Sequence, residues 1–133
     1  MRKTDLENID IKDLAGLISG HLNKNGIDAV LVGGACVSIY SKNEYISHDL
    51  DYVSYDSIKE IKSCLEDLGF MQEAKNRFIN EKCEFYIELV SPPVGIGKEV
   101  PIRKFNQIET AKGRITLLTA TDCVKDRLAA YYH

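Results

Sequence analysis

Apolar positions recur along this chain at two spacings, and the alternation of the two spacings outlines the fold. Ile11, Leu14, Leu17, Ile18 and Leu22 follow helical spacing, with Asp10 placed to cap the start and Gly26 to stop the end. His21 lies on or beside this stripe and reads as a packed residue rather than a ligand. "IDAVLVGG" reads as a short buried strand that runs into two glycines, and "ACVSIYSKN" as a short helix. "DLDYVSY" is the second strand. Ile58, Ile61, Leu65 and Leu68 form the stripe of a further helix, capped by Asp56 or Ser57 and stopped by Gly69.

From there the period shortens to two. "FMQEA" and "NRFIN" read as short strands, and "KCEFYIELV" is the clearest strand: Cys83, Phe85, Ile87 and Leu89 alternate with Glu84, Tyr86, Glu88 and Val90. "SPPVGIGKEVP" is a loop by its Pro and Gly content, and "RKFNQIET" with "RITLLT" outlines a hairpin around "AKG". A last helix begins at "TATDCVKDRLAAYYH", where Thr119 and Asp122 stand as a capping box with Asp in place of Glu. No stop signal precedes His133, so this helix is either cut short or runs to a natural end. The order α-β-α-β-α, then β-rich, then α, predicts an α+β domain spanning residues 1–133. It would be a mixed sheet with helices packed on one face rather than a doubly wound parallel sheet.

Composition narrows the class. The 133 residues suit a single domain, and 44% hydrophobic residues suffice for one core. A net charge of −3 with acids and bases intermixed leaves no basic block of the kind that tracks nucleic acid. A small basic patch would still leave RNA open as a substrate. The charged start "MRKTDLENIDIKDL" lacks a signal-peptide core, and no apolar run approaches the roughly 20 residues that span a bilayer. Cys36, Cys64, Cys83 and Cys123 are scattered without metal-like spacing and read as buried, reduced thiols. The expectation is a soluble cytoplasmic protein with no membrane contact.

Two aspartates in one strand break the pattern. Aspartate is a poor strand former, yet Asp49 and Asp51 sit in "DLDYV" and, at i and i+2, point to the same face. Such carboxylates repel unless a cation compensates them, and Mg²⁺ is commonly held by one or two carboxylates together with substrate phosphate oxygens. In "KCEFYIELV", Glu84 and Glu88 lie opposite the apolar face, and parity alone does not choose between them. If the two strands are neighbours, three acids converge in a way that suits a two-metal site. Gly33 and Gly34, between a strand and a helix start, would let a phosphate approach backbone N–H groups.

This constellation resembles the nucleotidyltransferase superfamily of DNA polymerase beta, and most of all the small prokaryotic minimal nucleotidyltransferases, including those related to AbiEii-type toxins and to antitoxins. The matching residues are Val32-Gly33-Gly34, a long spacer over residues 35–48, then Asp49-Leu50-Asp51-Tyr52-Val53. The later acid would be Glu88 in "YIELV", with Glu84 as the fallback. The tail "LLTATDCVKDRLAAYY" is similar to the helix that packs beside the core in that group.

The resemblance implies transfer of an NMP from an NTP to a hydroxyl of RNA, protein or a small molecule, in a toxin–antitoxin setting among others. Asp49, Asp51 and Glu88 would be the catalytic, Mg²⁺- or Mn²⁺-binding residues. Gly33, Gly34 and Ser38 would bind the nucleotide. Relatives often carry Arg-x-Thr-x-Asp before the first acid; here Tyr45 stands at the Arg position and Ser47 at the Thr position. His48 shares the core-side parity of Leu50, and Lys42, Arg77, Lys98 and Arg103 are the alternative cations. The missing arginine also keeps open a non-catalytic module of the same fold, binding nucleotide or a partner protein. Tyr131 and Tyr132 would mark a dimer interface or cover the core.

Overall fold

The computed structural model describes residues 6–96 and 100–132, with the side chains of 129–132 excepted. Lys98 and the side chains of Tyr131 and Tyr132 therefore lie outside the described residues. Four helices and seven strands follow the predicted order: α1 (Ile11–Lys24), β1 (Val30–Val32), α2 (Gly34–Tyr40), β2 (Asp49–Val53), α3 (Ile58–Asp67), β3 (Met71–Ala74), β4 (Arg77–Ile79), β5 (Tyr86–Val90), β6 (Phe105–Glu109), β7 (Arg114–Leu118) and α4 (Ala120–Tyr132).

Local chemistry sets most boundaries. Asp10 caps α1 by accepting from the Lys12 N–H, Ser57 caps α3 by accepting from Glu60, and Thr119 accepts from Asp122 at the start of α4. The strand expected over 82–90 is shorter, because only Tyr86–Val90 finds a ladder; Cys83–Phe85 precede it as irregular chain.

The strands form one mixed sheet in the order β3-β4-β5-β2-β1-β7-β6. β2 runs parallel to β5 and β1 parallel to β7, while the other pairs are antiparallel. Register places Leu31, Leu50, Tyr52, Ile87, Phe78 and Leu117 on one face, and all are buried. Leu14, Ile18, Cys36, Ile39, Ile61 and Leu65 of the first three helices belong to the same core. Tyr52 ties β2 to α1, because its hydroxyl meets Ser19 Oγ at 2.9 Å and donates to the Ala15 carbonyl. His21 is partly exposed and bonds Asp67 of α3 at 3.0 Å, an exposed link between α1 and α3.

α4 lies against α2 and β7. The buried Cys36 thiol donates to the Leu31 carbonyl at 3.0 Å and neighbours the buried Cys123 where α2 and α4 meet; all four cysteines are free, and Cys83, expected to be buried, is only half-buried. No described helix is long and apolar enough to cross a membrane.

Candidate active site

The side of the sheet opposite α1, α2 and α3 carries the acids. Asp51 stands in register with Glu88 on the neighbouring parallel strand, and Asp49 is two residues before it on the same face. Asp49, Asp51 and Glu88 each offer a carboxylate oxygen, and these oxygens lie within 4.8 Å of one another. Glu84 precedes β5 and is exposed. Pairing therefore separates two glutamates that alternation alone leaves equivalent.

Each acid has a different environment. Burial, a hydrogen bond shared with Asp49 and the negative charges of Asp49 and Glu88 push the Asp51 carboxyl up to about 8, against a smaller opposing pull from Arg127. Asp51 Oδ1 is buried with no hydrogen-bond partner among the described residues. Ser47 donates to the Asp49 carbonyl at 3.1 Å and to Asp49 Oδ1 at 3.3 Å. Glu88 accepts from Arg77 Nη2 at 2.7 Å and Nε at 3.1 Å, and the same guanidinium stacks over Tyr86 at 4.6 Å.

The donor set suits a hard divalent cation: three carboxylates, no sulfur or imidazole, and one buried oxygen left unsatisfied. These residues therefore fit Mg²⁺ or Mn²⁺.

Gly33 borders the cluster. Its backbone has φ 71° and ψ −154°, a region open essentially only to glycine. A Cβ there would fall 2.7 Å from Asp51 Oδ2, so the glycine lets strand and carboxylate approach. Gly34 is tight as well: a Cβ would lie 3.1 Å from Ser47 Oγ and 3.3 Å from the Tyr45 ring. Ser38 is buried on α2, its hydroxyl without a partner among the described residues, and it does not line the recess beside Asp51.

That recess, of about 230 Å³, is bounded by Gly33, Asp51, Val90, Pro93, Asp126 and Arg127. It is smaller than the roughly 300–1,000 Å³ of sites that bury a drug-sized ligand, and suits the phosphate end of a nucleotide better than a whole one.

Sequence reading singled out neither Asp126 nor Arg127. The Asp126 carboxylate is pushed up by burial and pulled back by the nearby Arg127 and by its position beside the Gly33 backbone. Arg127 donates to the Tyr45 hydroxyl at 3.4 Å. Their spacing on α4 gives no sign of the site; only the packing of α4 does.

Among the other expected cations, Arg77 is engaged by Glu88, while Lys42 and Arg103 are exposed. His48 is exposed rather than turned to the core, because it precedes the first paired residue of β2.

No protein-family model and no curated protein matches the chain. Two solved structures are similar to it. The crystal structure of ANT(2'')-Ia with adenylyl-2''-tobramycin has a TM-score of 0.51 at 12% identity, over 92% of this chain and 88% of that one. The solution structure of the antibiotic-resistance factor ANT(2'')-Ia has a TM-score of 0.50 at 13% identity, over 92% and 83%. At such identity the likeness is one of fold, and the fold of this chain is nucleotidyltransferase-like α+β.

Proposed function

We propose that this protein is a metal-dependent nucleotidyltransferase that moves an NMP from an NTP to a hydroxyl acceptor. The observation that carries the reading is the convergence of Asp49, Asp51 and Glu88 beside Gly33 on the open face of the sheet. The fold agrees with it.

In this reading Asp49, Asp51 and Glu88 would hold Mg²⁺ or Mn²⁺, which would supply charge neutralisation at the phosphates and acidify the acceptor hydroxyl. Asp51 gives up its proton on binding, and Ser47 orients the Asp49 carboxylate. Gly33 and Gly34 leave room for the phosphate chain, while Ser38 serves from within α2 as a supporting residue. Arg77 holds Glu88 at the edge of the cluster. The acceptor hydroxyl, whose proton would pass to Glu88, attacks the α-phosphorus; the bond to its oxygen forms, the bond to the bridging oxygen breaks, and pyrophosphate leaves. Positioning and fixed charge make up most of the protein's contribution.

A small-molecule acceptor has the support of the adenylylated tobramycin in the fold neighbour. An RNA end, a protein side chain or a toxin–antitoxin partner is the alternative. Labelled NTPs, Mg²⁺ or Mn²⁺ and a panel of hydroxyl acceptors test the proposal. Transfer should be seen with wild type and abolished when Asp49 and Asp51 are both changed to Asn. Transfer that survives the double change would refute the metal assignment.

A further inference from the structure

We propose that Arg127 of α4 is the residue that binds the triphosphate of the incoming nucleotide, in competition with its neighbour Asp126; this rests on the nucleotidyltransferase reading above. Four observations converge on it. Arg127 lines the same recess as Gly33 and Asp51, and its charge is felt by the Asp51 carboxyl. Its Nε is buried and has no hydrogen-bond partner among the described residues. Its hydrogen bond to the Tyr45 hydroxyl is long at 3.4 Å. Arg77, the other cation near the cluster, is already used by Glu88.

A half-buried guanidinium with an unmet N–H beside an acidic cluster is a costly arrangement unless a further acceptor completes it. Phosphate oxygens are the acceptors that a planar fork of donors fits best. Asp126 lines the recess together with Gly33 and Arg127, so its charge lies beside the space where phosphate oxygens would meet the Gly33 backbone. Phosphate binding therefore works against the Asp126 charge and with the Arg127 charge, so the two adjacent residues have opposite effects on the same ligand.

Calorimetry tests this with Mg²⁺-tripolyphosphate and Mg²⁺ complexes of the four ribonucleoside triphosphates and monophosphates, on wild type and on Arg127→Met, Arg127→Lys and Asp126→Asn. Arg127→Met should weaken triphosphate binding by roughly tenfold to a hundredfold, the loss of a charge-assisted bond. Monophosphate binding should change little, and Arg127→Lys should recover part of the loss. Asp126→Asn, which keeps the size of the side chain and removes its charge, should tighten triphosphate binding.

Equal losses for triphosphate and monophosphate, or triphosphate binding within twofold of wild type in Arg127→Met, would overturn the assignment. Thermal melts of each variant separate misfolding from lost binding, and Asp126→Asn carries the test if Arg127→Met fails to fold. Wild type that binds none of these ligands refutes the nucleotidyltransferase reading itself, and the assignment falls with it.

Discussion

Asp51 shows how one residue sets up both the chemistry and a cost. Its carboxyl is raised to about 8, from an ordinary value of 3.8, by burial and by two neighbouring acids. The folded chain therefore holds this proton more tightly than the unfolded chain does. Metal-free stability is greatest below about pH 4 on this account and falls as pH rises toward 8. Asp51→Asn should remove that slope and raise metal-free stability near pH 8 by on the order of 1 kcal/mol, a Tm gain of roughly 3–6 °C. Melts from pH 5 to 8.5 check this, and an unchanged slope would contradict the burial argument.

Gly33 should be intolerant for a different reason. Gly33→Ala places a Cβ against Asp51 Oδ2 in a backbone region closed to alanine, at about 1–3 kcal/mol. Denaturant titration would show the loss, and Mn²⁺ binding should weaken because Asp51 has to move.

At the scale of elements, the site depends on how β2, β5 and α4 are held. Tyr52 fixes β2 to α1 through Ser19 and Ala15, while its neighbour Asp51 faces the other way. The β6–β7 hairpin is docked closely on α1. A Cβ on Gly113 would run into the Gly16 carbonyl and would come 3.0 Å from the Gly20 Cα, both backbone atoms that cannot swing aside. Gly113→Ala should therefore cost about 1–3 kcal/mol by overpacking, read in chemical denaturation. Metal affinity should stay near wild type, since Gly113 packs on α1 at the opposite end of β7 from Leu118, the residue of that strand that borders the recess.

Most elements were legible because their causes are local. Asp10, Ser57 and Thr119 cap helices with side chains two or three residues from their partners. The first half of "KCEFYIELV" misled for the converse reason: alternation was present, but no neighbouring strand reaches Cys83–Phe85.

Across the whole molecule, the proposed metal binding would be linked to folding. Asp49, Asp51 and Glu88 lie together on one face with only Glu88 ion-paired among the described residues, to Arg77, so their mutual repulsion opposes folding and a bound cation would relieve it. Mn²⁺ at 100 times its dissociation constant should stabilise the protein by about 2.7 kcal/mol and release a proton near neutral pH. Scanning calorimetry with and without Mn²⁺ measures the first effect, and titration in two buffers of different ionisation enthalpy measures the second. Asp49→Asn with Asp51→Asn should show neither.

The sequence by itself determined the α+β element order, the shared face of Asp49 and Asp51, and the glycines after β1. Each of these follows from the period of a strand, the caps of a helix or the backbone freedom of one residue. Tertiary structure decided what depends on distant chain segments meeting. Parallel pairing of β2 with β5 selected Glu88 over Glu84, β4 brought Arg77 to Glu88, and the packing of α4 placed Asp126 and Arg127 at the recess. No local spacing encodes these contacts, because they arise from the burial of one shared core rather than from the order of neighbouring residues.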